Sequence, residues 1–197
     1  MTSSPNFKLT SLVRQAGQDQ ETYAGFYRVP PPRRMARGRN SDPLIFYIHL
    51  ETSHRAAAGV HEQNPLQPAA LQQLAQKLAH TFYTTPGSTS AAMLKTAAAL
   101  NEQLLENNLR LAANGQQVVG SLTQVVLQAG GFYLAQSGAQ HAYCFSEEGV
   151  RHLYDPELSG RSLGMSRSTP IRYFHAPQSG KDALLLAARP APSWNPA

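Results

Sequence analysis

Residues 114–145 read NGQQVVGSLTQVVLQAGGFYLAQSGAQHAYCF, and the change of period inside them decides the fold. Before Asn114 the apolar residues recur three and four apart; after it they come in short β-branched and aromatic runs. Asn114-Gly115 suits a left-handed helix cap, since glycine takes a positive φ without steric cost. Val118–Leu127, Gly131–Gln136 and His141–Phe145 then read as three strands, with turns at Ala129-Gly130-Gly131 and Ser137-Gly138.

Working back from Asn114, Met93, Leu94, Ala97, Leu100, Leu104, Leu105 and Leu109 lie at helical spacing and predict a helix over 89–113, capped by Ser88 or Ser90. Pro86-Gly87 separates it from a helix over 68–84, which Pro68 opens and Leu71, Leu74, Leu78 and Phe82 make amphipathic. Residues 51–65 read as irregular. Leu44–Leu50 (LIFYIHL) is the continuous apolar run of a strand covered on both faces. Thr22–Val29 and Phe7–Val13 are earlier strands. Forward of Phe145, Val150–Tyr154, Ile171–His175 and Ala183–Ala188 are three more. Strands, then two helices, then a run of strands predict an α+β fold with helices packed on antiparallel sheets.

The chain has 197 residues, enough for one domain with its own core, and 42% apolar against 15% charged residues excludes a disordered chain. The domain is expected over 7–189, with residues 1–6 a disordered tail and 190–197 a Pro-rich linker or tail. A single cysteine, Cys144, rules out an intrachain disulfide and a thiolate cluster. The opening MTSSPNFKLT lacks the apolar core of a secretory signal, and no run reaches the roughly 18 apolar residues of a membrane span. A cytoplasmic location is expected.

The net charge of +5 is concentrated: Arg33, Arg34, Arg37 and Arg39 follow Pro30-Pro31-Pro32, and without them the chain is close to neutral. Residues 30–43 therefore read as a mobile, solvated basic loop. It is the best place for an electrostatic contact, but no aromatic platform is interleaved for stacking bases. His49, His54 and His61 have spacings of five and seven, which match no helical ligand pair and read as a chance grouping. His141 and Cys144, three apart on a strand, face opposite ways; Cys144 reads as core.

Four segments, in order, resemble the motifs of the metal-dependent serine/threonine protein phosphatases (the PPM type, or type 2C). Arg14–Asp19 (RQAGQD) is similar to an opening Arg-x-x-Asn-x-Asp, with Gly17 in place of Asn. Leu44–Glu51 (LIFYIHLE) resembles the strand that runs into the central metal motif, with Leu50 where the aspartate stands and Glu51 where its glycine stands. Gly131–Tyr143 resembles the strand pair around Gly-Asp-Ser-Arg-Ala-Tyr, with Ala139 for the Asp. Lys181–Pro190 resembles Gly-Asp-x-Leu-Leu-Leu-x-Ser-Asp-Gly, with Arg189 for the metal-binding Asp. The resemblance implies a β-sandwich flanked by an antiparallel helix pair, and a pocket at the sandwich edge bounded by Arg14, Asp19, Leu50, Glu51, Ala139 and Arg189.

Two hard divalent cations need a set of carboxylate oxygens, which leucine, alanine and arginine lack. The expected function is a catalytically inactive, phosphatase-like domain that works by binding a protein partner or another domain of a longer chain, with no metal or other cofactor. Arg14 is the candidate for holding a phosphate, and Arg189 the candidate positive partner of Asp19. The alternative is an active magnesium- or manganese-dependent phosphatase with an unusual ligand set; a third reading is a nucleic-acid binder using the basic loop.

Overall fold

The computed structural model describes residues 8, 10, 13–15, 18–20, 25–37, 39, 43–54, 62–63, 67–128, 130–177 and 182–188. Strands β1 (Val13–Gln15) and β2 (Gln18–Gln20) form a hairpin. There follow β3 (Phe26–Val29), β4 (Leu44–His54) and β5 (Glu62–Gln63). Next come the helices α1 (Pro68–Thr84) and α2 (Thr89–Leu111). The rest is β6 (Gln116–Gln128), β7 (Gly131–Ser137), β8 (His141–Ser146), β9 (Gly149–Leu153), β10 (Arg172–Pro177) and β11 (Ala183–Ala187). The large sheet has the order β10-β7-β6-β4-β3, with β5 beside β4; the small sheet has the order β11-β8-β9. Every strand pairing among the described residues is antiparallel.

Three layers result: helices, large sheet, small sheet. Along β4 the side chains alternate. Leu44, Phe46, Ile48 and Leu50, all fully buried, meet Leu71, Leu78, Phe82, Met93, Leu100 and Leu104 of the helices. Ile45, with Val125, Leu127, Phe132 and Leu134, meets Ala142, Cys144 and Leu153 of the small sheet. Each fully buried Leu, Ile or Phe stabilises by about 1.5–3 kcal/mol relative to exposure. The α+β class, the flanking helix pair and the antiparallel sandwich are those read from the sequence.

The helix limits follow from local chemistry. Pro68 occupies the first turn of α1, where its missing N–H costs nothing. The Ser88 hydroxyl accepts from Ala91 N at 3.1 Å and caps α2. A 3-10 turn over Ala112–Asn114 ends at Gly115, with φ +67. Two expectations need correction. Residues 51–54 are not irregular but continue β4, and Glu62–Gln63 pairs back onto it.

Arg39 does not belong to a solvated loop. It is 9% exposed; its Nε donates to Thr85 O at 3.0 Å, and its Nη2 to Gly87 O at 2.6 Å and Ser88 O at 2.5 Å. Its guanidinium lies 5.2 Å from the Phe82 ring centroid. The Thr85 and Gly87 carbonyls at the α1–α2 corner lack helical partners, and one planar fork reaches both together with Ser88 O, which also accepts from Ala92 N at 3.1 Å. Ala36 N bonds Tyr83 O nearby at 2.8 Å, so the basic segment is fastened to the helix pair. Residues 1–6 and 190–197, read as a tail and a linker, lie outside the described residues.

Candidate functional site

A cleft of about 280 Å³ opens where the ends of β4 and β6 meet the start of β8 and the segment from Tyr154 to Ser162. Its β4 wall is His49 and Glu51. Two residues apart on a strand, they share a face, and His49 Nε2 lies 2.9 Å from Glu51 Oε1. Ser121, the register partner of His49 on β6, lines the same wall. Gly120, one residue back, allows two close approaches. A Cβ there would lie 2.7 Å from Leu50 Cδ2 and 2.8 Å from Leu104 Cδ1. Its backbone N and O also exchange hydrogen bonds with Leu163, at 3.0 and 2.7 Å. This pair holds Ser159 and Ser162 against the cleft. Gly138, at φ +85, makes the turn that carries Ala139 to the opposite wall; a Cβ there would meet Ser121 Cβ at 2.7 Å.

The small sheet contributes aromatic rings. His141 stacks on Tyr154 at 4.1 Å between centroids, and His152 on Tyr143 at 4.4 Å. His141 Nδ1 lies 3.0 Å from His152 Nε2, so one imidazole donates to the other. Burial pulls the pKa of both below the usual histidine value, and for His141 the charge of a protonated His152 lowers it further.

The sequence-predicted pocket residues separate. Glu51 and Ala139 line the cleft, as does Ala188 at the end of β11; Arg189 lies outside the described residues, and with it the expected pairing to Asp19. Arg14 and Asp19 are register partners in the β1–β2 hairpin, but their side chains lie outside the described residues. Leu50 is a correction. It is fully buried beneath the helices, on the opposite face of β4 from the cleft. A motif alignment off by one residue exchanges the faces of a strand, and here the carboxylate facing the cleft is Glu51. His49, His141, Ser121 and Tyr154 were not foreseen as site residues. The alternation of β4 was the available signal for His49: once Leu44, Phe46, Ile48 and Leu50 take the core, His49 and Glu51 must share the other side.

Among the described residues the cleft holds one carboxylate, already bonded to an imidazole, and a methyl group at residue 139. No group of three His, Cys, Asp or Glu side chains is placed to hold a metal ion among them. Such a donor set does not fit a pair of magnesium or manganese ions, which take mostly carboxylate oxygens and water. It suits hydrogen bonding to a polar ligand instead, with serine hydroxyls and imidazole nitrogens as partners.

No protein-family model matches the chain, and no characterised protein matches it in sequence. Its fold does have solved counterparts. A serine/threonine phosphatase of S. agalactiae superposes with a TM-score of 0.53 at 13% identity, covering 82% of this chain and 77% of that one. The serine/threonine phosphatase Stp1 of Staphylococcus aureus superposes with a TM-score of 0.51 at 9% identity, covering 90% and 76%. A bacterial serine phosphatase variant gives 0.54 at 10% identity, covering 82% and 73%. The fold of this chain is that of the PPM-type serine/threonine phosphatases. Among the described residues no helix is long and apolar enough to cross a membrane.

Proposed function

We propose that this chain is a phosphatase-like domain without phosphatase activity, acting by binding as an interaction or regulatory module and requiring no metal or other cofactor. The observation that carries the reading is the composition of the cleft: Ala139 presents a methyl group, and the single carboxylate among the described residues, Glu51, is bonded to His49 at 2.9 Å. The sequence adds Arg189, a cation at a position where the resembled family has a metal ligand. Without a set of anionic oxygens, neither a metal pair nor the activated water it generates has support. The partner is a protein or a further domain, and a cytoplasmic setting fits the single reduced cysteine.

The test is turnover of para-nitrophenyl phosphate and of phosphopeptides with millimolar magnesium or manganese. Background rates are expected. Metal-dependent hydrolysis that drops in Glu51→Gln would overturn the proposal and favour the second reading, an active phosphatase with an unusual ligand set. The contact between His49 and Glu51 is what supports that second reading, because imidazole and carboxylate are both metal donors.

A further inference from the structure

The arginines of residues 33–39 divide into two roles. Arg39 is an anchor, whereas Arg33, Arg34 and Arg37 are exposed and have no hydrogen-bond or ion-pair partner among the described residues. Directly before them, Tyr27 to Pro32 form one wall of a groove of about 420 Å³; the other wall is α1 between Gln72 and His80. Val29, the three prolines, Ala75 and Ala79 make it largely apolar. The groove lies on the helix side of the large sheet, opposite the face that carries the cleft.

The surroundings carry one sign of charge. Residues 67–101 contain no Asp or Glu, and Lys77 and His80 are exposed on α1. In residues 25–50 the only acidic residue is Asp42. The backbone beside the arginines is also held in place. Arg39 fastens the segment to the α1–α2 corner, and Ala36 N bonds Tyr83 O, one turn beyond the end of the groove. A charged segment held in place before binding loses less entropy when a ligand arrives.

We propose that this groove docks an acidic, amphipathic peptide segment of a partner protein, its apolar side chains against Pro30–Pro32 and α1 and its carboxylates meeting Arg33, Arg34 and Arg37. Charge complementarity selects the sign, and the apolar walls select a peptide over a polyanion. Among the described residues Tyr27 is the groove's single aromatic residue besides His80, too few to stack successive bases. Prolines offer no N–H to a phosphate backbone. The proposal stands whether or not the cleft turns over a substrate.

The probe is a fluorescein-labelled 12-residue peptide alternating Glu with Leu and Phe, titrated by anisotropy in 150 mM salt. Saturable binding is expected, weakened about tenfold in R33A/R34A/R37A, since each exposed pair contributes modestly. Gln76→Glu, which places a like charge in the groove, is expected to weaken it severalfold, and the same peptide with Ser for Leu and Phe to bind at least tenfold more weakly. Unfolding curves check that the variants are folded; should the triple variant not fold, Gln76→Glu decides alone. Absence of binding, unchanged affinity in the folded variants, or equal binding of the Ser-substituted peptide, a DNA oligonucleotide or anionic vesicles would overturn the docking site.

Discussion

At the scale of the residue, Arg39 shows how one side chain fixes a corner. Its three acceptors, the carbonyls of Thr85, Gly87 and Ser88, belong to the junction of α1 and α2; Ser88 O also accepts from Ala92 N at 3.1 Å, whereas Thr85 O and Gly87 O depend on the guanidinium. Arg39→Ala leaves carbonyls at a part-buried corner without their charged donor, so a stability loss of about 2–4 kcal/mol is expected by urea unfolding. Arg39→Lys is expected to recover only part of it, because an ammonium cannot reproduce the planar fork. The His141–His152 pair makes a different prediction. Both pKa values are lowered in the folded state, so the unfolded chain binds protons first. Their contribution is fully present above the unfolded value of about 6.5 and is lost as pH falls through the lowered folded values. Asp155, lowered chiefly by its bond to Arg172, adds a second loss only below its ordinary carboxylate range. Unfolding midpoints from pH 8 to 5 are expected to fall in the wild-type chain and to fall less in His152→Phe, which keeps a ring against Tyr143 but removes the titrating pair. Equal slopes in the two proteins would show that the pair does not titrate as described.

At the scale of the element, what was legible in the sequence is what local chemistry controls. The helices predicted over 68–84 and 89–113 are found at Pro68–Thr84 and Thr89–Leu111 because Pro68, Ser88 and Gly115 act on their own backbone neighbourhood. The strands from Val118 onward were legible because glycine turns separate them. Of the residues expected around a pocket, Glu51 and Ala139 line the cleft, whereas Leu50 lies on the other face of β4, against the helices. Facing is a property of strand register, and a motif carried over by resemblance does not fix register to one residue. Arg39 and Asn108 could not be read at all, since their partners lie far along the chain. Asn108 of α2 accepts from Val118 N at 2.7 Å and donates to Val118 O at 2.7 Å and Gly164 O at 3.0 Å, tying helix, β6 and the segment beside the cleft together. Asn108→Ala orphans three backbone groups in a buried setting. A loss of about 2–4 kcal/mol is expected in chemical unfolding, with faster amide exchange around residues 163–166 than elsewhere.

At the scale of the whole molecule, the two sheets are joined by an apolar interface running from Ile45, Val125 and Phe132 to Ala142, Cys144 and Leu153, and the cleft lies at its edge. Where a pair of cations bridges such an edge, binding to the folded state alone couples metal concentration to stability by RT ln(1 + [L]/Kd). A ligand at a hundred times its Kd adds about 2.7 kcal/mol, several degrees in Tm for a domain of this size. In this chain the interface holds by packing, with one carboxylate facing the cleft among the described residues. The unfolding temperature is therefore expected to stay within about 1 °C when millimolar magnesium, manganese or a chelator is added. This measurement needs no substrate, so it separates absence of the metal pair from a poor choice of phosphopeptide. A rise of several degrees with manganese, abolished in Glu51→Gln, would mean that the cleft recruits a cation through Glu51 and His49, and the domain would have to be regarded as a metal-loaded phosphatase. A rise that persists in Glu51→Gln would place the cation elsewhere and leave the reading of the cleft intact.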